Sequence, residues 1–288
     1  MDQMNSMFLG IKHIIATFIF ELKKQWKKFL IFSLFSSILV IIGAYLPYFL
    51  IEDYSLPATQ TEFFQNNLSF ISEISIFATC FFFGGIICSE FGEKTGFILF
   101  PIINKYKLLL GKFLGSFVMS IGVILSYYST MTFLGLYFYD GPLTTRIFYS
   151  FGIAVIYIFA ISCFVTFFSS IMKNINITII STVLILLVAN MIIDQLIVLW
   201  LPEFEPVYSL NHMSKLISYI FESDFPTSLE DRYEEQTISV GAHGPGAAGE
   251  FTARIWLTPS IIGGITIALS YVCIFLTSAL IVFKRRQL

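Results

Sequence analysis

The chain has 288 residues, of which 56% are hydrophobic and 12% charged, against roughly 25% charged in an ordinary soluble domain. That balance excludes a soluble globular enzyme and makes this an integral membrane protein, while the net charge of −2 implies no nucleic-acid partner. Alternating hydrophobicity is absent, so a transmembrane barrel is excluded too.

Six stretches, at 29–51, 68–88, 109–138, 146–170, 175–199 and 257–283, are long and apolar enough to cross as helices, each needing about 20 residues. The expected fold class is therefore all-α, with six transmembrane helices in one transmembrane domain over 1–288. The 33 phenylalanines and 14 tyrosines suit packing against lipid and neighbouring helices rather than an aromatic binding platform. Cys80, Cys88, Cys163 and Cys273 all fall inside these spans, so no disulfide is expected outside them. The N-terminal sequence lacks a short apolar core with a small-residue cleavage site, and the first span is expected to remain as an uncleaved anchor.

Ahead of the first span, 8–28 reads as an amphipathic interfacial helix. Phe8, Ile11, Ile14, Ile15, Phe18, Ile19, Leu22 and Trp26 share one arc, with Lys12, Glu21, Lys23, Lys24, Lys27 and Lys28 opposite. Sorting the bases by the loops between spans puts thirteen on one side: Lys12, Lys23, Lys24, Lys27, Lys28, Lys94, Lys105, Lys107, Lys112, Lys173, Lys284, Arg285 and Arg286. Only Arg146, Lys215, Arg232 and Arg254 lie opposite. The positive-inside rule then predicts a multi-pass protein of the cytoplasmic membrane with both termini in the cytoplasm.

Glu73 in the second span and Asp194 in the fifth are ionisable groups at costly depth, and Asn190 shares a helical face with Asp194. These three are candidates for a translocation path, set against hydration at the outer interface or helix-to-helix bonding. Gly111, Gly115 and Gly122, continued by Ser126, form a small-residue stripe along the third span that suits close helix packing. Turns are expected at Asp140-Gly141-Pro142 and at 173–176. The extracytoplasmic loop, 200–256, carries nine acids against three bases. Leu210, Met213, Leu216, Ile217, Ile220 and Phe221 predict a short helix there, followed by a mobile linker through GAHGPGAAGE.

No catalytic residue and no metal site emerges. His13, His212 and His243 lack ligand spacing. Gly111-Lys112 lacks the glycine of a phosphate loop, because that position is Tyr106.

The charged segment 89–108 separates the second and third spans. Glu90 and Glu93 share a face, Phe97, Ile98, Leu99 and Phe100 follow, and Pro101 ends that turn. Lys105, Lys107 and Lys112 suit snorkelling at the inner interface. The two acids gain nothing from an anionic leaflet and suit a basic protein surface. Glu93, Gly96, Pro101, Lys105 and Gly111-Lys112 resemble the E-x-x-G, P-x-x-x-[RK] and G-K pattern of type-2 ATP-binding-cassette permeases. The helix ahead of six spans, the charged second linker and the larger outside loop before the sixth span extend the resemblance to the whole chain.

The resemblance implies a non-enzymatic permease subunit of an exporter, paired with a second copy and with separate ATPase subunits that bind ATP and magnesium; this chain itself holds no cofactor. It also implies that a coupling helix over about 90–101, ended by Pro101, docks on the ATPase, with Phe97 and Phe100 as apolar anchors and Glu90 and Glu93 as the charged rim. The outside loop is longer and more acidic than a minimal member needs, and no Cys or Met cluster there suggests copper. Two other readings follow from the residues: a proton- or ion-coupled carrier using Glu73 and Asp194, and a non-transporting membrane scaffold.

Overall fold

The computed structural model describes residues 2–50, 56–92, 103–201, 203–222, 225–241 and 248–286. In chain order these form α1 (Asp2–Leu50), α2 (Gln60–Asn67), α3 (Ile71–Phe83), α4 (Cys88–Gly92), α5 (Lys105–Phe138) and α6 (Arg146–Ile171). Then come α7 (Ile175–Leu184), a π-helical turn (Ile185–Ala189), α8 (Asn190–Trp200), α9 (Leu210–Tyr219), β1 (Tyr233–Gly241), β2 (Ala248–Trp256) and α10 (Ile261–Arg285). Among the described residues, six spans are long and apolar enough to cross a membrane: α1, α3 with α4, α5, α6, α7 with α8, and α10. The protein is an all-α, multi-pass membrane protein.

The longest seam joins α1 to α5. Thr17 lies against Gly111, Glu21 against Gly115 and Phe29 against Gly122; Ser37 bonds Ser126 and Thr130, and Tyr45 meets Phe138 edge-on. Both numberings rise together, so the two helices run parallel in one register. A Cβ on Gly111 would stand 2.7 Å from Thr17 Cβ and 2.8 Å from the Ile14 carbonyl oxygen, which is why small residues line this stripe. Hydroxyls then bond across the seam where lipid offers no partner.

The helix expected over 8–28 runs on into the first span without a break: α1 is one helix of 49 residues, about 74 Å at 1.5 Å per residue. Its N-terminal part packs along α5. Thr17, Glu21 and Gln25, four apart, turn inward and are buried, while Ile11, Ile15, Ile19 and Trp26 are exposed. Glu21 therefore does not belong to the outward lysine face.

The span of α3 with α4, α5 and α6 form the interior, with 72%, 56% and 61% of their most apolar stretch buried, against 17% in each of the other three spans. Thr17 beside Gly111, Arg286 bonded to the Ser170 carbonyl and Lys105 reaching the Phe283 carbonyl bring both terminal helices to one end of the bundle. The 93–102 linker joins that end, called here the linker end. At the opposite, loop end, Gly141 takes a φ of 134°, a left-handed conformation that favours glycine, and turns α5 into α6.

Helix α9 plugs the loop end. Ser209 caps it through the His212 amide, and Leu210, Met213, Leu216 and Ile217 are buried. Ser150 donates to the Ile217 carbonyl at 2.6 Å, and Phe64 meets Phe221 edge-on. Beyond it the expected mobile linker is partly replaced by an antiparallel hairpin, Tyr233 opposite Trp256 through Gly241 opposite Ala248. Residues 242–247 of the glycine-rich stretch lie outside the described residues.

Candidate functional site

The second span is broken near the linker end. Adjacent glycines, each about 1 kcal/mol poorer in a helix than alanine, interrupt it at Gly84-Gly85, between the end of α3 and the start of α4. A Cβ on Gly84 would run into Ile179 of α7, so glycine also permits this close approach. Broken helices leave backbone groups without partners, and neighbouring spans supply them here. The Phe82 carbonyl accepts from Ser116 Oγ at 3.2 Å and Gln25 Nε2 at 3.4 Å. Ser169 Oγ of α6 accepts from the Ile87 and Cys88 amides at 3.0 and 3.1 Å and donates to the Gly84 carbonyl at 3.1 Å. One hydroxyl thus holds both sides of the break.

Helix α4 is tied down on every side. Glu90 and Lys112 form an ion pair, each residue only 5% exposed. Phe91 meets Phe283 of α10 edge-on, and the Arg286 guanidinium lies 4.2 Å over its ring while bonding the Ser170 carbonyl at 2.8 Å. Gly92 abuts the Lys173 carbonyl in the turn between α6 and α7. A polar cleft of about 310 Å³ opens beside it, lined by Ser89, Gly92, Lys173 and Asn174. Four separate parts of the fold meet at five residues directly before the linker.

Glu90 consequently stands inside the bundle end and does not form a rim for a partner. Lys112, expected to snorkel at the inner interface, is buried because it answers Glu90. Glu93, Phe97, Phe100 and Pro101 lie outside the described residues. Gly111, Gly115 and Gly122 face α1, as set out above.

At the loop end, Asp194 on α8 accepts from Tyr208 Oη and Ser209 Oγ, both at 2.9 Å. It thereby fastens the fifth span to the start of α9. Burial, with Asp194 beside it, pushes the Tyr208 phenol upward. Asn190 starts α8 directly after the π turn and is half-buried. Glu73, in the first turn of α3, accepts from Ser72 Oγ at 2.9 Å. Among the described residues, no hydrogen bond or ion pair joins Glu73 to Asp194 or Asn190.

Sequence reasoning passed over one further cluster here. Glu205 Oε1 accepts from Arg232 Nη1 at 2.8 Å and lies 3.3 Å from His212 Nε2. Burial, reinforced by Lys215 and Arg232, brings the His212 imidazole down to about 3, so the ring is neutral and donates to Glu205 as a hydrogen bond rather than an ion pair. Lys215, itself lowered by burial, donates to the Trp256 carbonyl at 2.6 Å. Glu205, one of the acids counted in this loop, thus helps tie α9 to Arg232 at the start of the hairpin.

No family model matches the chain, and no curated protein matches it significantly. Its own geometry carries the functional reading.

Proposed function

We propose that the chain is the permease subunit of an ATP-driven exporter of the type-2 ATP-binding-cassette kind, working as two copies with two ATPase subunits that bind ATP and magnesium. The broken second span supports this reading most. A linker continuous with a straight span can pass on only that span's tilt. One attached to α4, which is separated from α3 at Gly84–Ile87 and tied to α5, α6 and α10, delivers a displacement to three spans together. In this reading the linker end faces the cytoplasm and 93–101 docks on the ATPase through Glu93, Phe97 and Phe100. Glu90 serves one step behind, as the tie that conveys the movement to Lys112 of α5. The carrier reading built on Glu73 and Asp194 gains less support, because both Asp194 oxygens are engaged in holding α9.

The test is co-expression with an ATPase encoded beside this gene. Co-purification and stimulated ATP hydrolysis are expected, and Glu93→Lys should weaken the complex while the permease keeps its melting midpoint in detergent. An ATPase that neither binds nor responds would refute the reading.

A further inference from the structure

Along one side of their seam, α1 and α5 part to leave a groove of about 340 Å³, within the range of small-ligand pockets, about 300–1,000 Å³. Leu22, Trp26 and Phe29 form one wall, Val118 and Met119 the other, and Gly122 lies at the end beside Phe29. A Cβ on Gly122 would stand 2.7 Å from the Phe29 ring, so glycine lets that ring lie close against α5. Trp26 and Val118 are 53% and 46% exposed, and the groove opens on their side. Lys23 stands at the opposite end, nearer the linker end. Among the described residues no acid lines the groove, and Glu21 turns toward Gly115 instead.

The charge pattern of α1 sets the depth of this groove. No charged residue occurs from Phe29 to the end of the helix at Leu50, about 33 Å at helical rise, enough to cross a hydrocarbon core about 30 Å thick. The edge of the hydrocarbon therefore falls near Phe29, and Lys23, Trp26 and Lys27 stand level with the headgroups, where tryptophan is favoured. An apolar recess at that level meets water unless an apolar chain fills it. Lys23 and Lys27, four apart on one face, are both exposed, and among the described residues no hydrogen bond or ion pair engages either. A phosphate without a compensating ammonium suits two such lysines. A zwitterionic headgroup brings a cation that they repel.

We propose that the groove holds one acyl chain of an anionic phospholipid whose phosphate meets Lys23 and Lys27. The proposal is independent of the exporter reading. The full chain is reconstituted in vesicles of equal parts phosphatidylglycerol and phosphatidylcholine, with bromine on the acyl chains of one lipid or of the other. Quenching at Trp26 is read as the fluorescence change that disappears in Trp26→Phe. Brominated phosphatidylglycerol is expected to quench Trp26 several-fold more strongly than brominated phosphatidylcholine. Lys23→Glu combined with Lys27→Glu, both at exposed positions, should make the two lipids equal, and Val118→Phe, which fills the groove and leaves the lysines in place, should remove most of the difference. Equal quenching by the two lipids in the wild-type chain overturns the proposal. A preference that survives undiminished in the lysine variant, or in Val118→Phe, overturns it as well, because the lysines or the groove then play no part.

Discussion

Helix α6 carries a serine near each end that fastens another helix to it, and the two differ in what they serve. Ser150, toward the loop end, meets Tyr128 Oη at 2.7 Å and donates to the Ile217 carbonyl in the last turn of α9. Ser169, at the linker end, serves two amides and one carbonyl exposed by an interruption inside a span. The first completes the end of an ordinary helix. The second permits a helix to be broken where no water reaches its backbone. The linker end is held by such polar bonds, whereas the loop end is a plug held by its apolar face.

The largest test of that contrast is Lys112→Met. It leaves the buried Glu90 carboxylate without its lysine, which costs about 3–5 kcal/mol when one partner of a buried pair is removed. The melting midpoint in detergent should fall sharply, and Glu90→Gln in the same chain should restore most of it. If the double variant melts as low as the single, the pair does not hold α4 in place.

Much of this architecture is legible in the sequence, and what is not has identifiable causes. The six spans follow from hydropathy alone, and the spacing of Leu210, Met213, Leu216 and Ile217 gives the buried face of α9. The break is hidden because Phe82-Phe83-Gly84-Gly85-Ile86-Ile87 is apolar throughout, and a hydropathy window reads it as uninterrupted helix. Glu21 is misplaced because a helical wheel groups charges with charges, while the fold groups Thr17, Glu21 and Gln25 by the small residues opposite them. That register appears only once α1 and α5 are known to be parallel. The hairpin is obscured by the glycines and alanines between its strands, although QTISV and FTARI carry the β-branched residues that strands favour.

The two serines give the next test. Ser169→Ala strands two amides at the break and leaves the Gly84 carbonyl with the Cys88 thiol alone, and the loss should be about 2–3 kcal/mol even after partial relaxation. Ser150→Ala leaves one carbonyl and one phenol short, for about 1 kcal/mol. Ser169→Ala should therefore show the lower melting midpoint and, on the exporter reading proposed above, also impair stimulation of the partner ATPase. Equal shifts in the two variants would remove the distinction between the ends.

A further effect belongs to the loop end and is tuned by pH. His212 has an ordinary value of 6.5 and is held at about 3 in the folded chain, chiefly by burial. Between those values the unfolded chain binds a proton that the folded chain refuses, so stability is whole above 6.5 and declines as pH falls through that window. At pH 5 the loss is about 2 kcal/mol, at about 1.36 kcal/mol per pH unit. Protonation would set a third positive charge beside Lys215 and Arg232 under α9, so acid should release the plug before it loosens the spans. His212→Gln should flatten the melting profile between pH 6.5 and 4, while Ser169→Ala, a change at the other end, should lower the whole profile and keep its slope. A His212→Gln profile as steep as the wild type would assign the acid response to other groups and leave the loop end held by packing alone.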